Sequence, residues 1–355
     1  MTGITGLGQL DAGAEALRLR LQMLTRQVST GRVADAPGDL GAALSRSLDL
    51  SADIARRDTY GTAIGTALNH AGVAQTALQR LGDIARAFGD GTAIRLDPND
   101  PDSIPLAASA ARQALVEVGQ LLNTSADGVY LFGGSDSANR PVPDPDNLPA
   151  AGFATQIASA VATLGGGNAA AVTAATMAAA QSDAAGVTPF SGFLSDPTQG
   201  LTEPRQAVPA ADGVTVPVGL FANRNAAAVS AGETTGSWAR DLMRGLATIA
   251  SLTPAQAASP ADFRAVVDVI RNGLQSAAAG IADEAGALGQ TEARLTALQD
   301  QHDSVTTTLT AQLSDIRDVD MAQAITQLQS TQTTLQASYT AIGRLSGLTL
   351  AQFLR

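Results

Sequence analysis

Histidine is the side chain best suited to moving protons near neutral pH, and this chain has two, His70 and His302. About 230 positions separate them and each falls in a helical pattern, so their spacing writes neither an acid–base pair nor a metal site; both read as surface or seam-edge residues. Asp97, Asn99, Asp100 and Asp102 could offer oxygens to a cation. That run lacks the glycine and the terminal Glu of a calcium loop, and Pro98 and Pro101 interrupt it, so it reads as a solvated turn. Gly165-Gly166-Gly167 and Gly89-Asp90-Gly91 are glycine-rich, but no Lys follows them and neither joins a strand to a helix, which excludes a phosphate loop. Ser191 has no glycine two residues before it, as a nucleophile elbow requires. Arg317, amid Asp315, Asp318 and Asp320, reads as an ion-pair-laced exposed helix. Trp238 and Phe263 stand near helix starts, the usual place of aromatic core anchors. No catalytic, cofactor-binding or metal-ligating set is expected, and the chain does not read as an enzyme.

Composition narrows the class further. The 355 residues are long enough for two or more domains, and 45% are apolar, but only 3% are aromatic. Alanine supplies much of the apolar fraction, which suits thin, closely spaced helices packed side by side. There is no Cys, so disulfides and thiolate chemistry are excluded and stability must come from packing. The net charge is −11, and all 22 basic residues are Arg, scattered along the chain; this argues against a nucleic-acid partner. No run of 18 apolar residues occurs and no secretory leader opens the sequence, so neither a membrane partner nor a cleaved signal is expected, and export would take another route.

Helical periodicity dominates both ends. Leu10, Ala14, Leu17, Leu21, Leu24 and Val28 recur at alternating steps of four and three, the seam of a helix that packs on another. The turn formers of 29–39, Asp35, Pro37 and Gly38 among them, then interrupt it. Helix is predicted again over about 40–88, with glycines at 61, 65, 72 and 82 that could permit close helix contact, and from about Ser103 to Asn123. From about 139 to 234 prolines and glycines accumulate and Val214, Val216 and Val218 alternate, which predicts an inserted domain of short strands and loops; the Ala-rich stretch 168–180 fits helix or loop. Helix returns at about Thr235 and, past a break at Pro254–Pro260, is predicted to run to the end through Met321, Ile325, Leu328, Leu335, Tyr339 and Ile342. The fold class is therefore mainly α: long terminal coiled-coil helices and a helical bundle with a strand-rich insertion.

A helix over residues 4–29 would be about 40 Å long, yet it carries one narrow apolar stripe. Each seam residue contributes roughly 1.5–3 kcal/mol when fully buried, against roughly 1–2 kcal/mol to order each backbone residue. Such ends are expected to order fully when neighbouring copies cover the stripe; pairing of the two ends within one bundle would account for the same pattern. The candidate assembly residues are Leu10, Leu17, Leu21, Leu24, Val28, Ile325, Leu328, Leu335, Tyr339 and Ile342.

Three separated motifs carry a resemblance. Ser29-Thr30-Gly31-Arg32-Val33 with Pro37-Gly38-Asp39, the run Asn123 through Gly134, and the tail from Ile316 to Leu354 with Leu335-Gln336-Ala337-Ser338-Tyr339 resemble the bacterial flagellin and hook-associated protein family. Tyr130-Leu131-Phe132-Gly133-Gly134 and Leu335–Tyr339 are most similar to its hook–filament junction branch, hook-associated protein 3, with flagellin itself the alternative. The resemblance implies a terminal coiled-coil assembly domain (1–40 and 310–355), a helical rod (41–138 and 235–309) and a variable domain facing solvent (139–234). It also implies a homo-oligomeric helical ring, another hook-associated protein on the hook side, flagellin on the filament side, a cytoplasmic export chaperone, export through the flagellar channel, and no cofactor.

Overall fold

In the computed structural model, residues 2–34 and 36–353 are described, with side chains described for 11–34, 36 and 38–344. Asp35, the side chain of Leu10 and the side chains of the closing run Leu348–Leu354 lie outside the described residues. The chain divides into two units, Met1–Thr59 with His302–Arg355, and Tyr60–Gln301. Nine α-helices are described: α1 (Thr2–Thr30), α2 (Leu44–Arg86), α3 (Ala93–Arg95), α4 (Ile104–Leu122), α5 (Gly152–Ala162), α6 (Ala169–Gln181), α7 (Trp238–Ser251), α8 (Pro260–Arg317) and α9 (Met321–Phe353). Beside five short 3₁₀ or π-helical turns there are two antiparallel hairpins among the described residues: β1 (Ser125–Ala126) with β2 (Val129–Tyr130), and β3 (Ala207–Ala211) with β4 (Val214–Pro217).

The first unit is built on the pairing of α1 with α9. Ala14 and Leu24 are buried on α1, with Ala324, Thr331 and Leu335 on α9, and their steps of ten and seven keep one narrow face turned inward. Gly31 ends α1 at φ +72°, a left-handed conformation that suits glycine. The chain then pairs with the break between α8 and α9: Val33 N–H donates to Arg317 C=O at 2.8 Å, and Val319 N–H to Gly31 C=O at 2.9 Å. Periodicity alone predicts continuous helix through 318–320, but three residues leave it there. Asp320 caps α9, its Oδ1 accepting from Ala322 N–H at 2.9 Å and Gln323 N–H at 3.1 Å. Asp followed three residues later by Gln is a capping signal legible in the sequence.

The second unit is a bundle around α7, in which every residue from Trp238 to Ile249 is buried. Helices α4, α5 and α6 pack on α7, and one core runs from Ala71 on α2 through Leu115, Phe153, Trp238 and Phe263 to Leu288 on α8. Close helix contact rests on Gly245 of α7, where an added Cβ would come within 2.7 Å of the Leu274 side chain. Gly61, Gly65 and Gly72, the glycines that periodicity singles out for this role, have no atom within 4 Å of such a Cβ; Gly82 would meet Ile281 at 3.5 Å.

The inserted stretch carries less strand than its prolines and alternation suggest. Residues 152–162 and 169–181 are helical, and β3–β4 is its one hairpin among the described residues. Alanine explains the difference: it is the best helix former, and helices of small side chains pack onto α7 without strand pairing. The hairpin seats Ala210 and Val216 on Ile64, Ala67 and Leu295.

Candidate assembly surface

The sequence-predicted assembly residues fall in three positions. Leu24 and Leu335 are buried in the first unit, so the α1–α9 pairing already uses them. Leu17, Leu21, Val28, Leu328 and Ile342 are half-buried. Ile325 and Tyr339 are exposed, at 40% and 48%, and Met321 beside them is also open. On α1, Leu19 and Met23, four residues apart and so on one face, are exposed as well. On α9 the buried and half-buried residues Ala324, Leu328, Thr331, Leu335 and Ile342 form the inward face, while Met321, Ile325 and Tyr339 at its margin stay exposed. Thr331 concealed the inward face, because a threonine in a seam does not read as apolar. Leu19 and Met23 were missed because they flank the seam instead of lying on it.

Charge divides between the units. The first has eleven acidic residues and ten Arg, a net of −1, whereas the second has 22 acidic residues and twelve Arg, a net of −10. Copies meeting through the first unit therefore meet with little repulsion, and salt would matter more to the second.

Residues whose types suggested chemistry have structural employment. His302 is buried, its Nδ1 3.4 Å from Arg57 Nη1, and is not a surface residue. His70 Nε2 lies 3.0 Å from Asp127 Oδ2 beside the β1–β2 turn. Arg317 does not join the neighbouring aspartates; its guanidinium donates to Ser47 Oγ at 2.8 Å and Ser51 Oγ at 2.9 Å, tying the end of α8 to the start of α2. Asp97 Oδ1 accepts from Asn99 N–H at 2.9 Å and closes a turn. Ser191 Oγ accepts from Leu194 N–H at 3.3 Å. The Gly165–Gly167 run cradles a carboxylate of its own chain: Gly167 N–H donates to Asp262 Oδ2 at 2.9 Å. Trp238 and Phe263 are buried in the core. Among the described residues, no group of three or more His, Asp or Glu is placed to hold a metal ion, and no helix is long and apolar enough to cross a membrane.

The motif between α4 and the insertion is a structural joint. Asp127 (φ +51°) and Gly128 (φ +81°) turn β1 into β2. Gly133 bridges to Phe221 and Phe132 C=O accepts from Ala222 N–H at 2.9 Å. A Cβ at Gly134, where φ is +61°, would lie 2.0 Å from Glu203 Oε1 and 2.9 Å from the Phe221 ring, so a larger residue there would have to displace both.

Two terminal helices pair along an apolar seam in the first unit and leave Leu19, Met23, Met321, Ile325 and Tyr339 exposed. The family profile of the bacterial flagellin N-terminal helical region matches residues 11–137, and that of the bacterial flagellin C-terminal helical region matches residues 272–354. Together they take in more than half of the sequence, and the chain belongs to the flagellin family. No curated protein matches it. The family is one of structural subunits, not enzymes, and its members polymerise with copies of themselves in the extracellular bacterial flagellum that drives motility.

Proposed function

We propose that this subunit joins the hook to the filament, stacking as a ring of copies through α1 and α9 and presenting a surface on which flagellin then polymerises. The observation that carries the reading is the set of exposed apolar residues Leu19 and Met23 on α1 and Met321, Ile325 and Tyr339 on α9, on a unit whose net charge is only −1. It leaves apolar surface for a neighbour after the chain has paired its own ends. The runs Tyr130–Gly134 and Leu335–Tyr339 favour the junction member over the filament subunit. Contacts between copies are heterologous, because head-to-tail repetition of unlike surfaces propagates a tube where an isologous contact would close a dimer.

On this reading 1–40 and 310–355 form the assembly domain, 41–138 and 235–309 the rod, and 139–234 the variable domain. Leu10, Leu17, Leu21, Leu24, Val28, Ile325, Leu328, Leu335, Tyr339 and Ile342 supply the contacts that order on assembly. The partners are another hook-associated protein below, flagellin above and a cytoplasmic chaperone during export through the flagellar channel. Deleting the gene, then examining cells by electron microscopy and the medium for flagellin, tests the proposal. Hooks without filaments, with flagellin lost to the medium, are expected. Intact filaments would overturn it, and flagellin missing from both cell and medium would make this chain the filament subunit.

A further inference from the structure

The return path from the insertion to α7 contains Val229, at 83% the most exposed large apolar residue among those described. Just before it, three consecutive backbone amides turn inward onto one side chain. Ala226 N–H donates to Glu284 Oε2 at 3.2 Å, Ala227 N–H to both carboxylate oxygens at 3.1 Å, and Ala228 N–H to Oε2 at 3.0 Å. Glu284 lies midway along α8 and is 1% exposed. A buried carboxylate without partners is costly, and here a loop backbone supplies them. Successive N–H groups converging on one point make a nest of the kind that binds free anions.

The segment is tethered at both ends. Asn225 Oδ1 accepts from Trp238 N–H at 2.9 Å, while its Nδ2 donates to Ala228 C=O at 3.1 Å. Asp241 accepts from Thr235 N–H at 2.8 Å and from the Thr234 hydroxyl. Between these anchors most side chains are small: Ala226 and Ala228 touch the core, Ser276 on α8 donates to Ala231 C=O at 3.1 Å, and Glu233, itself exposed, lies 3.4 Å from Arg244. Alanine side chains bury little apolar area, so closure rests chiefly on the carboxylate.

We propose that residues 225–235 form a strap that Glu284 closes by occupying an anion-binding nest from within the chain, and that the strap has an open state in which the nest accepts a small external carboxylate. The start of α7 would be uncovered in that state. An added Cβ at Gly280 of α8 would stand 3.1 Å from Trp238 Cβ, so α8 passes close to the start of α7.

Amide hydrogen exchange on the full chain, read by mass spectrometry, tests this with Glu284→Ala, Glu284→Gln and sodium formate as the probe anion. In the unmodified chain the amides of 226–228 should exchange at least tenfold more slowly than those of 229–233. Glu284→Ala should remove that difference while protection of Val118 and Leu122 in α4 persists, and formate should restore part of it. Glu284→Gln should lie between, since its amide presents one accepting oxygen without charge. Equal exchange across 226–233 in the unmodified chain would overturn the strap. So would undiminished protection in both variants, or loss of α4 protection in both, which would make Glu284 a general core residue. Protection lost locally but indifferent to formate would overturn the nest.

Discussion

Helices α1 and α7 solve the same problem in opposite ways. Of the twenty α1 residues with described side chains only Ala14 and Leu24 are buried, whereas α7 is buried for twelve consecutive residues. Because α7 carries Arg240, Asp241 and Arg244 into that interior, each must be answered. Arg240 donates to Asn223 C=O at 2.9 Å and Ala180 C=O at 3.0 Å and pairs with Asp183; Arg244 donates to Thr176 Oγ1 at 3.1 Å and Thr173 C=O at 3.0 Å. All of these partners lie between residues 173 and 223, so buried charges on α7 lace that stretch down. Along the described part of α1 burial is confined to Ala14 and Leu24, so its packing rests chiefly on one seam. The second unit exposes Ile94, Leu106 and Val229 singly, while the first exposes pairs four residues apart, Leu19 with Met23 on α1 and Met321 with Ile325 on α9.

The sharpest way to break that comparison is to damage each region at its centre. Trp238→Ala should cost about 3–5 kcal/mol, as large-to-small changes at fully buried aromatics do, and lower the melting temperature of the second unit by circular dichroism. A loss below about 1 kcal/mol would mean that α7 is not the pivot described. In the first unit the effect should depend on which face is struck. Leu24→Asp should separate α1 from α9 and abolish filaments while expression persists. The double substitution Ile325→Ser with Tyr339→Ser should leave monomer stability within about 0.5 kcal/mol, as exposed changes do, yet impair assembly by sedimentation. Normal polymer from the double variant would remove these exposed residues from the interface.

That distinction also marks how far the sequence is legible. The terminal helices, the turn at Gly31 and the core roles of Trp238 and Phe263 follow from periodicity, turn chemistry and aromatic placement. The helices at 152–162 and 169–181 were obscured, because alanine repeats carry little amphipathic contrast and fit a loop as well as a helix beside the prolines and glycines that flank them. The separation of inward face and exposed margin on α9 could not be read, since Met321, Ile325 and Tyr339 match a seam pattern as well as Ala324 and Thr331 do. Which apolar residues a helix turns to its partner is decided by tertiary pairing. The polar lacing of α7, and the employment of Arg317 by Ser47 and Ser51, depend on residues tens to hundreds of positions apart and leave no local trace.

A smaller effect tests whether the Gly31 joint links the two ends as described. Its φ of +72° is strained for any residue with a Cβ, although no neighbouring atom stands within 4 Å of where that Cβ would lie. Gly31→Ala should therefore cost about 1 kcal/mol from backbone strain alone, without the clash expected at Gly134. The loss should appear in the first unit, as faster exchange of the Val33 and Val319 amides that join the α1 turn to the α8–α9 break. If Gly31→Ala left those amides as protected as before, the turn would be tolerating its conformation for some reason other than this pairing. If instead they exchanged freely while helix content held, the joint would be the weak point of an otherwise intact arm.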